Sequence, residues 1–481
     1  MKEDNIQEEG RIISYFSGIA KIEGFAHIFI HEVLVDEEGG QIALVIGFDE
    51  FFTEALFFDE NFDPNKRVFR SYERFSLQIN DAIIGRVING LGGTLDALGP
   101  LRGEKKDVFA KAPEIIERDL IDTFLCTGIK VIDATLSLGR GQRELIIGDK
   151  KLGKSTLATD IVLNQKNIES PLYCVYVLCG QKERKLQELI EIFEHNNTFL
   201  YSTIVSASAD ASFAELYLAP FVGCTIAEYF RDQGKDALIV YDDLSHHAKA
   251  YRDISLLLER SPGREAYPGD IFSLHATLLE RSAKLSKEQG GGSLTAFPIV
   301  ETQEGDVTSF VSTNIISITD GQIYLENGLF QKRFLPAVNV GLSVSRVGHI
   351  QPQPLKDVTK SLRLMLSQHK ELQKLAKLET TKSKEATQKI HRGELLLEIL
   401  KQDKHRKISW QEQVILFSAV EGGHFDDLAG EEWKKFEVLL LEMMRNKEYR
   451  LIEKITDQGV PEGMDEKIRI MIESFKKEFL L

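Results

Sequence analysis

The segment IIGDKKLGKST, residues 146–156, constrains this chain more than any other. From Gly148 to Ser155 it fits the pattern GxxxxGK[ST]. The apolar run RELII precedes it, and the apolar residues Leu157 and Ile161 follow one helical turn apart. In such a loop the glycines let backbone N–H groups approach phosphate oxygens, and the start of the helix adds its positive dipole end. We therefore predict a nucleotide site between a buried strand and a helix.

The residue types in this segment predict how a nucleoside triphosphate is held. Lys154 is expected to reach the β- and γ-phosphates, and the Ser155 hydroxyl to bind Mg²⁺. Asp242 ends the apolar run ALIVYDD and is expected to hold the same ion through water. The cofactors predicted are thus ATP or ADP with Mg²⁺. The predicted loop residues are Gly148, Asp149, Lys150, Lys151, Leu152, Gly153, Lys154, Ser155 and Thr156. Two adjacent histidines, His246 and His247, have no third ligand nearby, so we interpret them as ordinary surface or packing residues.

The hydrophobic pattern divides the chain into three parts. Residues 11–79 alternate apolar and polar positions in short segments, which predicts a small antiparallel β-barrel. Between about 120 and 345, apolar runs alternate with helix-period segments, which predicts an α/β domain with a mostly parallel sheet. The expected strands there include RELIIG, PLYCVYVLC, ALIVYDD, LTAFPIV and NIISITDG. Beyond residue 355 the pattern is helical, with one stripe formed by Val358, Leu362, Met365, Leu366, His369, Leu372 and Ala376. We place the domains at 1–88, 89–352 and 353–481.

Charge and composition exclude several classes of function. The formal net charge of −15 argues against a dedicated nucleic-acid or membrane-surface binder. No apolar run is long enough to insert into a membrane, and the acidic start MKEDNIQEEG is unlike a secretory signal. The four cysteines lack metal-site spacing. We therefore expect a cytoplasmic protein with reduced, buried cysteines.

Several long segments resemble one family. GIKVIDATLSLGRGQRELIIGD, ALIVYDDLS, SPGREAYPGD, GGGSLTAFPIVETQEGDV and PAVNVGLSVSRVG are similar to the alpha subunit of the F-type rotary ATP synthase. This resemblance implies an N-terminal barrel, a P-loop domain of the RecA-like type and a C-terminal helical bundle. It also implies a ring of three alpha and three beta subunits around a gamma-type shaft. The complex would lie on the inner face of the cell membrane.

The resemblance also implies a division of labour between subunits. Catalytic beta subunits carry a glutamate after the third-strand glycine, where this chain has Gln181. An amide can hydrogen-bond a water but cannot take its proton, so we expect a non-catalytic site. Arg346, in SVSRVG, matches the arginine that alpha subunits present to the neighbouring site. A guanidinium there offsets the charge that develops on the transferring phosphoryl group.

Two departures from the family pattern alter these expectations. In the base pocket, Gln402 is kept, but Leu335 replaces an arginine and Lys404 replaces a second glutamine. We therefore expect altered selectivity for adenine. In addition, about ten residues precede the first strand, too few for the helix that anchors the peripheral stalk. We therefore do not expect the usual attachment through a delta subunit.

Three interpretations of function follow. The first is a non-catalytic subunit in a divergent ATPase head that drives another machine, of the kind found in mollicute bacteria, or alternatively in a standard F-type ATP synthase. The second is a self-sufficient homo-hexameric ATPase of the secretion or Rho type, which Gln181 and the acidic balance oppose. The third is a scaffold without productive nucleotide binding, which Lys154, Ser155 and Asp242 oppose. The isolated chain is expected to be inactive.

Overall fold

A computed structural model of the chain describes most of its 481 residues. The described residues are 8–166, 172–376, 384–428, 430–447, 452, 454–457, 459–460 and 464–479. They form three successive parts: an antiparallel barrel, an α/β layer structure and a set of helices. The fold class that the sequence predicts is therefore confirmed.

Six antiparallel strands close into the N-terminal barrel, in the order β1-β2-β5-β4-β3-β6. Their bounds are β1 Glu9–Phe16, β2 Ile19–Glu23, β3 Glu32–Val35, β4 Gln41–Phe48, β5 Thr53–Phe57 and β6 Val68–Arg74. Small and branched side chains fill the interior, among them Ala20, Ile22, Leu34, Ala43 and Val45. Closure leaves no unpaired edge strand in the barrel. A small two-stranded sheet follows, formed by β7 Ser76–Ile79 and β9 Glu104–Asp107.

The central sheet has eight strands in the order β16-β15-β10-β14-β13-β11-β12-β8. All neighbours are parallel except β16, which runs antiparallel to β15. The strands are β8 Val87–Asn89, β10 Leu145–Asp149, β11 Leu172–Gln181, β12 Ser202–Ser208, β13 Asp236–Asp242, β14 Ser293–Thr302, β15 Gly321–Leu325 and β16 Val344–Ser345. β8 belongs to this sheet because it pairs with β12. The domain boundary predicted at residue 88 therefore falls within a strand of the central domain.

Helices cover both faces of this sheet. They are α1 Lys130–Asp133, α2 Lys154–Leu163, α3 Glu183–His195, α4 Phe213–Arg231, α5 Leu244–Leu257, α6 Ile271–Leu279, α7 Phe310–Ile318 and α8 Asn327–Gln331. Because every parallel strand ends at the same edge, the loop between β10 and α2 meets the ends of β11, β13 and β14 there. The predicted nucleotide site lies at this carboxyl edge.

One predicted strand is wrong. The run NIISITDG was expected to be extended, but NIISI forms the second half of α7, and the neighbouring strand begins at Gly321. Val311, Ile315 and Ile318 are buried at helical spacing on one side of α7. Three isoleucines within five residues fit a buried helix as well as a strand. The spacing of the buried positions 311, 315 and 318 is that of one face of a helix, not the alternation of a strand.

The C-terminal part is helical, as predicted. Its helices are α9 Gln353–Thr359, α10 Leu362–Ala376, α11 Lys384–Leu400, α12 Trp410–Glu421, α13 Glu431–Lys447 and α14 Met464–Phe479. The apolar stripe expected on one helix is divided between two. One helix ends at Thr359 and the next begins at Leu362, so Val358 lies on α9. Across the described part of the chain, no helix combines the length and apolar character that crossing a membrane requires.

Candidate functional site: a phosphate-binding loop at the sheet edge

The loop between β10 and α2 has the backbone that its glycines predict. A Cβ at position 148 would lie 2.6 Å from the carbonyl oxygen of Leu325 on the neighbouring strand, so only glycine fits there. Gly153 adopts a φ of 92°, in the left-handed region, immediately before α2 begins at Lys154. Both glycines are therefore required by the path of the chain, and they bring the first N–H groups of a ten-residue helix to the cavity.

Lys154 is held at the centre of this loop. Its ammonium donates to the carbonyl oxygens of Gly148 and Asp149, at 2.9 and 2.7 Å, and lies 3.9 Å from a carboxylate oxygen of Glu301. The side chain is only 5% exposed, and burial lowers the pKa of its amine, while the nearby carboxylates oppose that shift. A poorly hydrated cation fixed beside free backbone donors is well placed to bind a phosphate oxygen.

Asp149 has a structural role in the loop. Its Oδ1 accepts hydrogen bonds from the Thr302 hydroxyl at 2.6 Å and from the Gly305 amide at 2.8 Å. These bonds tie the start of the phosphate-binding loop to the end of β14. Asp149 therefore helps to fix the path of the loop.

A cavity of about 240 Å³ opens beside the loop. Among the predicted residues, its lining includes Lys151, Gly153, Lys154, Ser155, Thr156, Gln181 and Asp242. The other predicted loop residues lie outside it: Gly148 and Leu152 are buried, Asp149 is half-buried, and Lys150 is exposed. The cavity also contains four residues that sequence reasoning did not assign to it: Lys185, Asp243, Ile299 and Glu301. The structure thus brings the loop, Gln181 and Asp242 together, as expected.

Asp242 and Asp243 are almost completely buried at the end of β13. Asp242 accepts a hydrogen bond from the Tyr176 hydroxyl at 2.9 Å, and the Gln181 amide nitrogen lies 3.4 Å from its other oxygen. Asp243 caps α5, since its Oδ1 accepts from the His246 amide at 2.8 Å. Both carboxylates therefore have fixed partners, and the Gln181 amide nitrogen lies within 3.5 Å of each.

Lys185 is the most consequential residue that the sequence analysis missed. From the first turn of α3 its Nζ donates to the Ser155 hydroxyl oxygen at 2.8 Å and contacts Asp242 Oδ2 at 2.8 Å. These are the two side chains predicted to share Mg²⁺. Their oxygens suit that ion, but the position between them is taken by an ammonium. The sequence signal for this role was a lysine in the first turn of the helix that follows Gln181 at the carboxyl edge.

Glu301 is the second group that was missed. It lies near the end of β14, with its side chain 23% exposed, and its backbone N–H donates to the Ser245 hydroxyl. The carboxylate faces Lys154 across the cavity. The run LTAFPIVE ends in an acid just as ALIVYDD does, and the same strand-end argument would have placed both acids at one edge.

Arg346 lies at the opposite edge of the sheet. Ser345 pairs with Gly321, and Gln322 pairs with Leu145, so Arg346 lies at the starts of β15 and β10. From there the five residues of β10 lead roughly 13 Å to the phosphate-binding loop. The exposed guanidinium donates to the carbonyl oxygens of Thr319 and Ile316 at the end of α7. It does not line the cavity of its own chain.

Gln402 also lies outside the cavity, in hydrogen bonds to the backbone. Its amide nitrogen donates to the carbonyl oxygens of Gly128 and Arg406, and its oxygen accepts from the Lys130 amide at 2.9 Å. The backbone N–H of Gln402 donates to the carbonyl oxygen of Leu335. Both donors of the amide are thus engaged, and the described contacts link the segment before α1 to the loop after α11.

Of the two adjacent histidines, one is buried and the other is half-buried. His247 is fully buried, with Nε2 3.1 Å from the Tyr217 carbonyl oxygen and Nδ1 3.2 Å from His275 Nε2. His246 lies beside Asp243. Throughout the part of the chain that the structure describes, no three His, Cys, Asp or Glu side chains are grouped to hold a metal ion. The four cysteines are free, and three are buried.

The fold and the cavity define the class of this protein: a P-loop nucleotide-binding protein with a preceding β-barrel and a following helical domain. Residues 128–345 match the model of the ATP synthase alpha/beta family, nucleotide-binding domain, and residues 351–478 match that of the ATP synthase alpha/beta chain, C terminal domain. The chain belongs to the ATP synthase alpha/beta family.

Three curated relatives match nearly the whole chain, and each is named ATP synthase subunit alpha. The relative from Aquifex aeolicus is 43% identical over 99% of this chain and 95% of its own length. That from Lawsonia intracellularis is 45% identical over 98% and 94%, and that from Rickettsia bellii is 42% identical over 99% and 95%. The resemblance to the F-type alpha subunit is thereby confirmed. These relatives favour the standard F-type alternative over the divergent head that the sequence analysis put first.

Proposed function

We propose that this chain is the nucleotide-binding, non-catalytic alpha subunit of a standard F-type ATP synthase. It binds ATP or ADP at the cavity beside Lys154 and contributes Arg346 to the catalytic site of a neighbouring beta-type subunit. The observation that carries the proposal is the distribution of these groups over two edges of one sheet. Lys154 lies at the carboxyl edge, and Arg346 is exposed at the amino edge, where only a second chain can bring it a nucleotide.

The absence of a suitable base in the cavity supports a non-catalytic role. Hydrolysis needs a group that orients a water and accepts its proton. Gln181 is an amide beside Asp242, and the two aspartates are engaged by Tyr176, Lys185 and the start of α5. Glu301 faces the ammonium of Lys154. The nucleotide is therefore bound and retained rather than hydrolysed.

In the assembled complex, three copies alternate with three beta-type subunits around a gamma-type shaft, at the inner face of the cell membrane. This arrangement gives each exposed Arg346 a neighbouring nucleotide. The relatives' names support it, since all are alpha subunits of a synthase. A self-sufficient homo-hexameric motor is disfavoured because Gln181 would stand in every catalytic site.

The proposal is tested with the purified full-length chain and its Lys154→Met variant. We expect the wild-type chain to retain ATP or ADP through gel filtration and to show no ATP hydrolysis above background, as measured by phosphate release. The variant should retain no nucleotide. Sustained turnover by the wild-type chain alone would contradict the assignment, and equal nucleotide retention by the variant would remove Lys154 from the site.

A further inference from the structure

The position of Lys185 has a consequence for the ion that accompanies the nucleotide. Resting on the nucleotide site proposed above, we infer that the Lys185 ammonium serves as a built-in cation of this site and makes nucleotide binding largely independent of Mg²⁺. The cation that such loops recruit from solution is here supplied by the chain itself.

The geometry of the contacts supports this inference. Lys185 Nζ is within 2.8 Å of both Ser155 Oγ and Asp242 Oδ2, so one nitrogen touches both side chains expected to hold the metal. An ammonium has three donors. Two are used by these contacts, and the third remains for a phosphate oxygen entering the cavity that Lys185 lines.

The surroundings of Asp242 keep the ammonium in place. The Asp242 side chain is only 2% exposed, and Tyr176 donates to the same Oδ2 that Lys185 contacts. Lys185 itself is 29% exposed, so the ion pair is partly shielded from water and from salt. A carboxylate buried to this degree needs a cationic partner, and Lys185 is that partner.

Magnesium is expected to compete poorly with this arrangement. The ion demands near-octahedral oxygen ligands at about 2.0–2.1 Å and gives up its waters reluctantly. To reach Ser155 and Asp242 it has to displace the ammonium from both. A covalently tethered cation pays no loss of translational freedom on binding, whereas a free ion does. The nucleotide therefore meets two fixed positive side chains, Lys154 and Lys185.

The experiment measures ATP affinity of the purified full-length chain by calorimetry, in excess Mg²⁺ and in EDTA. We expect the wild-type affinity to change by less than about threefold between the two conditions. The Lys185→Met variant keeps the length of the side chain and removes the charge. It should bind at least tenfold more weakly in EDTA than in Mg²⁺. The control is Lys182→Met, on an exposed lysine that does not line the cavity, and it should behave as the wild type does.

The outcomes separate this inference from the proposed function. If the wild-type chain binds no ATP in either condition, the nucleotide site itself is wrong. If it binds ATP with a tenfold or larger requirement for Mg²⁺, and Lys185→Met leaves that requirement unchanged, the site stands and the role of Lys185 is overturned. Binding of Mn²⁺ in the presence of ATP, followed by electron paramagnetic resonance, gives a second measure. Lys185→Met should bind the ion more tightly than the wild type.

Discussion

At the scale of single residues, the site is defined by which charges it buries. Lys154 has backbone carbonyls on one side and Glu301 on the other, while Lys185 pairs with Asp242. The cavity therefore presents two ammonium groups, and its carboxylates Glu301 and Asp242 hold them in place. Such an arrangement suits an anion and supports the proposed non-catalytic role.

Lys154 carries the first residue-scale prediction. Lys154→Met removes the buried ammonium that the loop carbonyls hold, so ATP affinity should fall by at least about 100-fold, since hydrogen bonds between charged groups are among the strongest. Lys150→Met is the matched control because Lys150 is exposed and does not line the cavity. Calorimetry on both variants checks this prediction, and comparable losses in the two would show that general positive charge, rather than position, binds the nucleotide.

Gln402 carries the second residue-scale prediction. Because its amide bonds to the backbone at Gly128, Lys130 and Arg406, Gln402→Ala should destabilise the protein by about 1–3 kcal/mol. ATP affinity should change much less. Urea denaturation and calorimetry on the same variant decide between the two roles. A large change in the preference for ATP over GTP, with unaltered stability, would instead support the base-pocket role expected from the resemblance.

At the scale of elements, three helices meet around His247. The residue lies on α5, contacts Tyr217 on α4 and pairs with His275 on α6. Burial lowers the pKa of His247 to about 4, and it also lowers the pKa of His275. The native state thus keeps both rings neutral, whereas the unfolded chain protonates them near pH 6.5.

The sign of the resulting pH dependence follows from linkage. Below pH 6.5 the unfolded state binds more protons at these histidines than the native state does. The stability that comes from keeping them neutral is therefore fully present above that pH and is lost as the pH falls towards 4. His247 alone should remove about 2 kcal/mol between pH 7 and pH 5. His247→Gln, although less stable at pH 7, should lose less stability over this interval. Urea denaturation at the two pH values measures the loss of stability in each protein. An equal loss in wild type and His247→Gln would contradict the role of His247.

Elements also show what the sequence could and could not predict. The phosphate-binding loop was predictable because a buried strand, two glycines and a helix start follow one another along the chain. The run NIISI was not, because three isoleucines within five residues fit a helix or a strand equally well. Lys185 was missed because its role depends on a long side chain reaching across from α3 to α2 and β13. Sequence order alone does not show that contact.

At the scale of the whole molecule, strand order places the Lys154 loop and Arg346 at opposite edges of one sheet. β10 carries the loop at its end, while β16, at the sheet margin, brings Arg346 beside the start of β10. The sequence predicted both groups, but their lying at opposite edges depends on the antiparallel pairing of a two-residue strand. That pairing leaves Arg346 exposed at the amino edge, which is the position that the proposed role towards a neighbouring subunit requires.

Turnover of the complex assembled with Arg346→Ala, beside wild type and Arg346→Lys, tests the central claim most directly. We expect ATP hydrolysis to fall by about 10³-fold in the alanine variant, and less in the lysine variant, which keeps the charge but not the two-pronged geometry. Assembly by gel filtration and nucleotide bound at the Lys154 site should stay as in wild type. Near-normal turnover by a fully assembled Arg346→Ala complex would contradict the account.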